Sequence, residues 1–293
     1  MAPLSSAARA THAPRYGGRP SSLVLLVPAV LLMLALVAIP LIFVLRVSLL
    51  APGPGASLEG PLSGEAYLML ADPYLIGILL RTVRVAVLTT AGCLLVGYPL
   101  ALALAGSSGR RRTVLTGLVV SPLLMSVVVR GFGWTLLLGR QGLVNKMLVA
   151  SGLVAEPVQL LQTEFAVVVG LVEALLPFMV LALVASLDQI DRALIDAARG
   201  LGDSAFGAFW RITLPLSRAG ALGGSVLVFM VAMSSYATPA MLGGARVRLM
   251  VSEIYTQVTS VFDWPLAAAL SMLLLLTTLV AAVLAPGLKG GAA

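Results

Sequence analysis

LDQIDRALIDAARGLGDSAFGAFWRITLP, residues 187–215, is a polar interval between two long apolar runs, and its reading decides the fold. Asp191 can cap a short helix on which Leu194, Ala197, Ala198 and Leu201 recur at helical spacing. The glycines Gly200 and Gly202 can end it. Asp203 and Ser204 can then start a second helix, which carries Phe206, Phe209 and Trp210 toward a membrane face before Pro215 marks the start of the next span. Two short helices broken at a glycine make a compact knob. Its small residues leave backbone accessible, and Asp196 offers a charge to a groove on another protein. The plainer alternative is an interfacial amphipathic helix joining two spans.

Outside this interval the chain is oily. Of its 293 residues 59% are hydrophobic and only 11% are charged, and the mean hydropathy is +1.04. A soluble surface needs far more charge than that, so the chain is an integral membrane protein. The single cysteine, Cys93, lies in an apolar run, which excludes an intrachain disulfide and a Cys-rich metal site. It reads as a buried structural thiol. The single histidine, His12, lies in the polar amino-terminal stretch and leaves no His cluster for metal or catalysis. The net charge of +7 is spread over short loops, which points to membrane topology and away from nucleic acid.

Residues 1–20 read as a flexible tail with Arg9, Arg15 and Arg19, and residues 288–293 as a short second tail with Lys289. Between them, residues 21–287 read as one transmembrane domain of six helices. The apolar stretch 21–45 has the length of a retained first span, with Pro28 and Pro40 expected to bend it. A polar connection with Glu59, Glu65 and Asp72 leads to a second span at about 85–105, then to the basic turn 109–112. Further spans are expected at about 113–129, 165–186, 219–242 and 266–284, with one amphipathic helix in the connection 139–161. The basic residues 110–112, Arg192, Arg199, Arg211 and Arg218 fall on the side of the termini, against Arg46, Arg81, Arg140, Lys146, Arg246 and Arg248 on the other. That bias places both termini and the knob in the cytoplasm.

Asp196-Ala197-Ala198, then Gly202, then Ile212, Leu214 and Pro215 resemble the E-A-A, G, I-x-L-P loop of binding-protein-dependent ABC transporter permeases, with Asp in place of Glu. Other segments resemble the spermidine/putrescine branch of that family. They are Gly97-Tyr98-Pro99, Arg130 with Trp134, Gly142-Leu143-Val144-Asn145, Leu176-Pro177-Phe178, Thr238-Pro239 with Leu242-Gly243-Gly244, and Asp263-Trp264-Pro265. The resemblance runs in order over roughly residues 70–285 and implies an all-α type I importer permease fold, its first span outside a five-helix core. It also implies a translocation pathway shared with a second permease subunit, identical or homologous. An external solute-binding protein would deliver the solute, and two ATPase subunits would grip the cytoplasmic coupling loop, residues 187–217. On this reading Asp196, Ala197, Ala198, Gly202, Ile212, Leu214 and Pro215 form the coupling loop of a bacterial inner-membrane subunit. Asp for Glu keeps the charge and shortens the reach by about 1.5 Å. The solute implied is a polyamine, with ferric iron, thiamine or another small solute as the alternative.

The chain has no G-x-x-x-x-G-K-[ST] run, so no cofactor is expected in it, and ATP and Mg²⁺ would be held by the partner ATPase. The segment 139–142 is too short to replace that run. Glu173 falls mid-span, where an ionised carboxylate needs a partner or water, and is expected to face the bundle interior. It could meet a cationic solute or simply pair with Arg130, which otherwise lies close enough to a span end to snorkel. Tyr98 beside Pro99, and Tyr236 before Thr238-Pro239, could line a pathway where backbone is broken, or could pack. Trp134 and Tyr74 suit an aromatic interface belt. Gly220 and Gly224 form a small-xxx-small pair suited to helix packing. A self-sufficient secondary transporter would need coupling carboxylates in several spans or an inverted repeat. An intramembrane enzyme would need paired catalytic groups. The sequence offers neither.

Overall fold

The computed structural model describes residues 22–55, 58 and 60–287. The two tails, with His12 and Lys289, and Glu59 in the first connection lie outside the described residues. The chain divides into two compact units, residues 1–46 and 47–293. The first unit's described part belongs to α1 (Ser22–Ser48), one continuous helix that contains both Pro28 and Pro40.

The second unit opens with α2 (Glu65–Met69) and then α3 (Pro73–Ala105). The expected start of this span at Val85 is corrected to Pro73. Asp72 caps the helix by accepting from the Tyr74 amide at 2.8 Å, and Pro73 occupies the first turn, where no donor is needed. Hydropathy alone misplaces this start because of Arg81 and Arg84, yet both pair with Glu164 at the head of a neighbouring helix. At 1.5 Å per residue α3 extends about 50 Å, well beyond a hydrocarbon layer of about 30 Å.

The third span is not continuous. α4 (Gly109–Val120) runs into a 3₁₀ turn at Ser121–Leu124, the chain becomes extended at Met125, and the segment Val127–Ala150, which opens with α5 (Val127–Leu138), departs at 96°. Pro122 withdraws a donor inside that turn. α6 (Leu143–Ala150) is the expected connecting helix, and α7 (Glu164–Leu187) matches its expected span within a residue.

After α8 (Arg192–Gly200), α9 (Ala205–Ala208) and α10 (Leu214–Leu216) comes α11 (Arg218–Met233). Its 16 residues fall short of the expected span. The chain breaks at Ser234 to Tyr236 and resumes as α12 (Ala237–Leu242). Hydropathy reads through this break because Ser234, Ser235 and Tyr236 are too few to interrupt an apolar average. The last connection carries α13 (Met250–Thr256), and α14 (Trp264–Gly287) completes the bundle. Among the described residues four helices are individually long and apolar enough to cross a membrane, and up to six crossings result when each of two bent pairs, Gly109–Leu124 with Val127–Ala150 and Ala205–Leu216 with Arg218–Met233, counts as one.

α3, α7 and α11 form the packed centre, with α13 and α14 against them. Tyr98, Ala101 and Leu104 of α3 meet Met179, Val180 and Leu183 of α7, while Val228 and Met233 come from α11. Small residues let the helices close. A Cβ at Gly220 would lie 2.5 Å from Ser186 Cβ and 2.7 Å from the Ala182 carbonyl oxygen, and one at Gly224 would lie 2.9 Å from Met179 Sδ. The small-residue pair thus seats α11 on α7, as its spacing predicts. Cys93 is fully buried in the same core.

Candidate functional site

The polar interval folds as a capped knob. The Asp191 side chain accepts from the Ala193 amide at 2.9 Å and starts α8. At the far end the Asp203 amide donates to the Ala198 carbonyl and the Gly202 amide to the Arg199 carbonyl, each at 3.0 Å. These two bonds form the paired C-terminal cap that requires a left-handed residue, and Gly202 supplies it at φ +93°. Gly200 stays within the last turn. Ser204 then caps α9 by accepting from the Gly207 amide at 3.0 Å.

The second helix of the knob is shorter than expected. α9 gives way to a wide π-helical turn at Phe209–Thr213 before α10. Pro215 cannot donate to Arg211, and its ring crowds that carbonyl, so the backbone widens just ahead of it. Phe206 and Trp210 face outward, whereas Phe209 turns in against the core.

α8 packs mainly on α9 and the wide turn, which leaves Asp196, Ala197 and Gly202 exposed. Leu194 and Leu201 are exposed too, Leu201 by 91%. Ala198, Ile212, Leu214 and Pro215 are half-buried along the base. Behind α8 a cleft of about 720 Å³ opens toward the ends of α3 and α7, with Asp196, Arg199 and Arg112 on its walls. Arg112 also pairs with Asp188 and so ties the start of α4 to the end of α7.

The four candidate pathway residues divide into two places. Tyr98 is buried where the knob joins the bundle, its hydroxyl bonded to the Ser217 hydroxyl and its ring edge-on to Phe209 at 5.5 Å. Arg130 and Tyr236 lie elsewhere, at the two helix breaks, and Glu173 on α7 meets Arg130. Arg130 does not reach for an interface. It donates to the Pro122 carbonyl at 2.9 Å, and its Nε lies 3.2 Å from Glu173 Oε2. Its side chain is only 12% exposed. The contact is close enough for an ion pair, yet Glu173 Oε2 is buried without an aligned hydrogen bond. Arg130 and Tyr236 share a cleft of about 340 Å³ with Pro122, Phe178 and Ser235. The Tyr236 ring lies 4.7 Å from that of Tyr255 on α13.

The family model described as "Binding-protein-dependent transport system inner membrane component" matches residues 95–289. The chain belongs to that family. This inner membrane component is 35% identical over 236 residues to the spermidine/putrescine transport system permease protein of Haemophilus influenzae, covering 80% of this chain and 82% of the relative. It is 33% identical over 238 residues to the Escherichia coli K12 protein of the same name, covering 81% and 86%. Its fold resembles a chain in the crystal structure of a bacterial alginate ABC transporter in complex with an alginate pentasaccharide-bound periplasmic protein. There the TM-score is 0.75 at 17% identity, with 92% of this chain and 93% of the other covered. The chain is thus a permease subunit with the all-helical fold of an ABC importer, a multi-pass protein of the inner membrane.

In this inner membrane component the segment 142–145 has a structural explanation. Asn145 is buried, donates to the Gly139 and Val158 carbonyls at 2.9 and 3.0 Å, and accepts from the Val158 amide at 2.9 Å. A side chain at Gly142 would strike the Leu137 carbonyl at 2.3 Å. Trp134 packs against the neighbouring core cluster.

Sequence reading missed Glu253. It is 3% exposed, accepts from Gln257 Nε2 at 2.9 Å and Tyr74 at 3.3 Å, and pairs with Arg248 at 3.4 Å. The hydrogen bond to Tyr74, and then the nearby Glu253, hold the Arg248 guanidinium protonated above its ordinary range. Glu253 and Gln257 at i and i+4 were the only local signal, and the partner on α3 lies far away in sequence. Among the described residues no group of three or more His, Cys, Asp or Glu side chains could hold a metal ion.

Proposed function

We propose that this permease serves an ATP-driven importer of polyamines of the spermidine/putrescine class. The observation that carries the reading is the likeness to two permeases named for that transport, extending over four-fifths of the chain. An external binding protein delivers the solute, and a second permease subunit completes the pathway. Separate ATPase subunits bind ATP and Mg²⁺ and hydrolyse ATP, so this subunit is not itself an enzyme. They grip the knob at Asp196, Ala197, Ala198 and Gly202, with Ile212, Leu214 and Pro215 carrying the movement into α11. The exposed charge and exposed small residues of α8 support that assignment. Both termini, residues 1–20 and 288–293, lie in the cytoplasm with the knob, as the distribution of arginines favours. The transmembrane domain spans 21–287.

Mild-detergent purification of the whole importer, followed by ATP-dependent uptake of radiolabelled putrescine and spermidine into proteoliposomes, tests the reading. Uptake that requires ATP and the binding protein is expected. Asp196→Lys combined with Gly202→Trp is expected to release the ATPase and to lower uptake by about tenfold or more, as loss of a central interface contact does. Uptake without ATP, or an importer that ignores both polyamines while carrying another solute, would overturn it.

A further inference from the structure

Two breaks and one proline meet at a single cleft. The third crossing is interrupted at Met125-Ser126 and the fifth at Ser234 to Tyr236. α7 is continuous, but Pro177 has no amide to donate to the Glu173 carbonyl one turn back, so this helix too has lost a backbone bond. The cleft of about 340 Å³ is lined by Met125, by Ala174, Leu175 and Phe178 around that proline, and by Ser235 and Tyr236. Three soft points of the backbone thus border one cavity.

The buried core divides at the same place. One cluster holds Met179, Val180 and Leu183 from the second half of α7, with Val228 of α11 and Leu270 of α14. The other holds Ala166, Val167 and Leu171 from the first half of α7, with Leu138 of α5 and Leu242 of α12, and α3 touches it through Val85. The segments beyond the two breaks fit tightly to one another and to α7. A Cβ at Gly131 of α5 would lie 2.4 Å from Met241 Sδ of α12, and one at Gly170 of α7 would lie 2.4 Å from Leu242 Cδ1. The Gln162 amide, just ahead of α7, donates to the Leu242 carbonyl at 2.8 Å. Arg130 crosses the divide. From α5 it donates to the Pro122 carbonyl on the far side of the first break, and it pairs with Glu173 at the proline gap.

We propose that α5, α12 and the first half of α7 form a cap that swings as one body on the main bundle. Its hinges are Met125-Ser126, the stretch between Glu173 and Pro177, and Ser234 to Tyr236, and Arg130 is the latch between cap and bundle. Packed cores do not deform continuously, so relative movement is confined to where side-chain packing and backbone bonds lapse together. The cleft is the space that such a movement takes up. Displacement of the knob enters through α11, whose end at Met233 adjoins the third hinge. The inference rests on the ATP-driven reading above and not on the identity of the solute.

Spin-label distances in the complete importer, with Cys93→Ala in this subunit and the partners unlabelled, measure the movement. Leu136→Cys with Phe165→Cys puts both labels on the cap, and Leu136→Cys with Leu276→Cys puts one on the cap and one on α14, all three positions being exposed. Between the nucleotide-free importer and one trapped with ATP and vanadate, the cap-to-bundle distance is expected to change by about 5 Å, a one-turn displacement, while the distance within the cap holds. Arg130→Gln, which removes both tethers, is expected to move the cap-to-bundle distance toward the trapped value without nucleotide. Gly131→Cys with Met241→Cys would bring two Cβ atoms to 3.5 Å, which suits a disulfide inside the cap. Uptake is expected to be the same before and after that disulfide is reduced. A distance change within the cap, a constant cap-to-bundle distance, or uptake that returns only on reduction would overturn the inference. An Arg130→Gln distance equal to that of the unaltered chain would overturn the latch, and if that variant does not assemble, the distances in the unaltered background decide. Uptake without ATP would overturn the ATP-driven reading, an outcome distinct from a fixed cap in an importer that works.

Discussion

Gly220 and Gly223 sit three residues apart on α11 and meet different surroundings. A Cβ at Gly220 would press on the Ala182 carbonyl of α7, and backbone cannot step aside, whereas a Cβ at Gly223 would meet nothing within 4 Å. Gly220→Val is therefore expected to destabilise the subunit by roughly 1–3 kcal/mol, the usual cost of overpacking. Gly223→Ala should leave it unchanged or slightly firmer, since alanine favours the helix. Thermal unfolding of the purified importer compares the two directly. The sequence offered this much legibly, because the four-residue spacing of Gly220 and Gly224 marks a packing face without any knowledge of the partner. It could not show that Gly142 and Asn145 hold one loop together, because their partners are the Leu137, Gly139 and Val158 backbone and no side-chain pattern announces them.

Among the elements, the knob was read nearly whole. Its caps are local, written in Asp191, Gly202 and Ser204, and the structure uses all three. The breaks in the third and fifth crossings were not read. The 3₁₀ turn at Ser121–Leu124 and the gap after Met233 arise where apolar residues continue on both sides, so hydropathy runs straight through them. Tyr98 couples α3 to the base of the knob through Ser217 and Phe209. Tyr98→Phe removes only the hydroxyl contact and should cost about 1 kcal/mol. Tyr98→Ala opens a cavity in the joint and should cost about 3–5 kcal/mol by analogy with Phe→Ala. If the joint transmits motion, ATP hydrolysis in the Ala variant proceeds with little uptake. Uptake and hydrolysis falling in equal measure would show that the joint only stabilises.

At the scale of the whole molecule, sidedness can be tested without any transport assay. Cys93 is buried, so a Cys93→Ala background leaves single introduced thiols to report their own side. In intact cells a membrane-impermeant maleimide should label Lys146→Cys from outside and leave Leu201→Cys untouched until the membrane is opened. The reverse pattern would invert the topology. The four unbroken apolar helices were legible from composition because apolar length is a property of each segment alone. Where the crossings bend, and which charges meet between them, depends on neighbours distant in sequence, so the pairing of Arg130 with Glu173 was legible only as one of two alternatives.

That pairing also bears on how the chain is made. Arg130 emerges from the ribosome before its counter-charge, which arrives only with α7. A lone arginine at the middle of a span opposes release into lipid by about 2.5–3.5 kcal/mol, and the bend at Met125-Ser126 leaves neither half of that crossing long enough to commit by itself. The third crossing is therefore expected to be held beside protein until the fourth is synthesised, so that the two enter the bilayer as a couple.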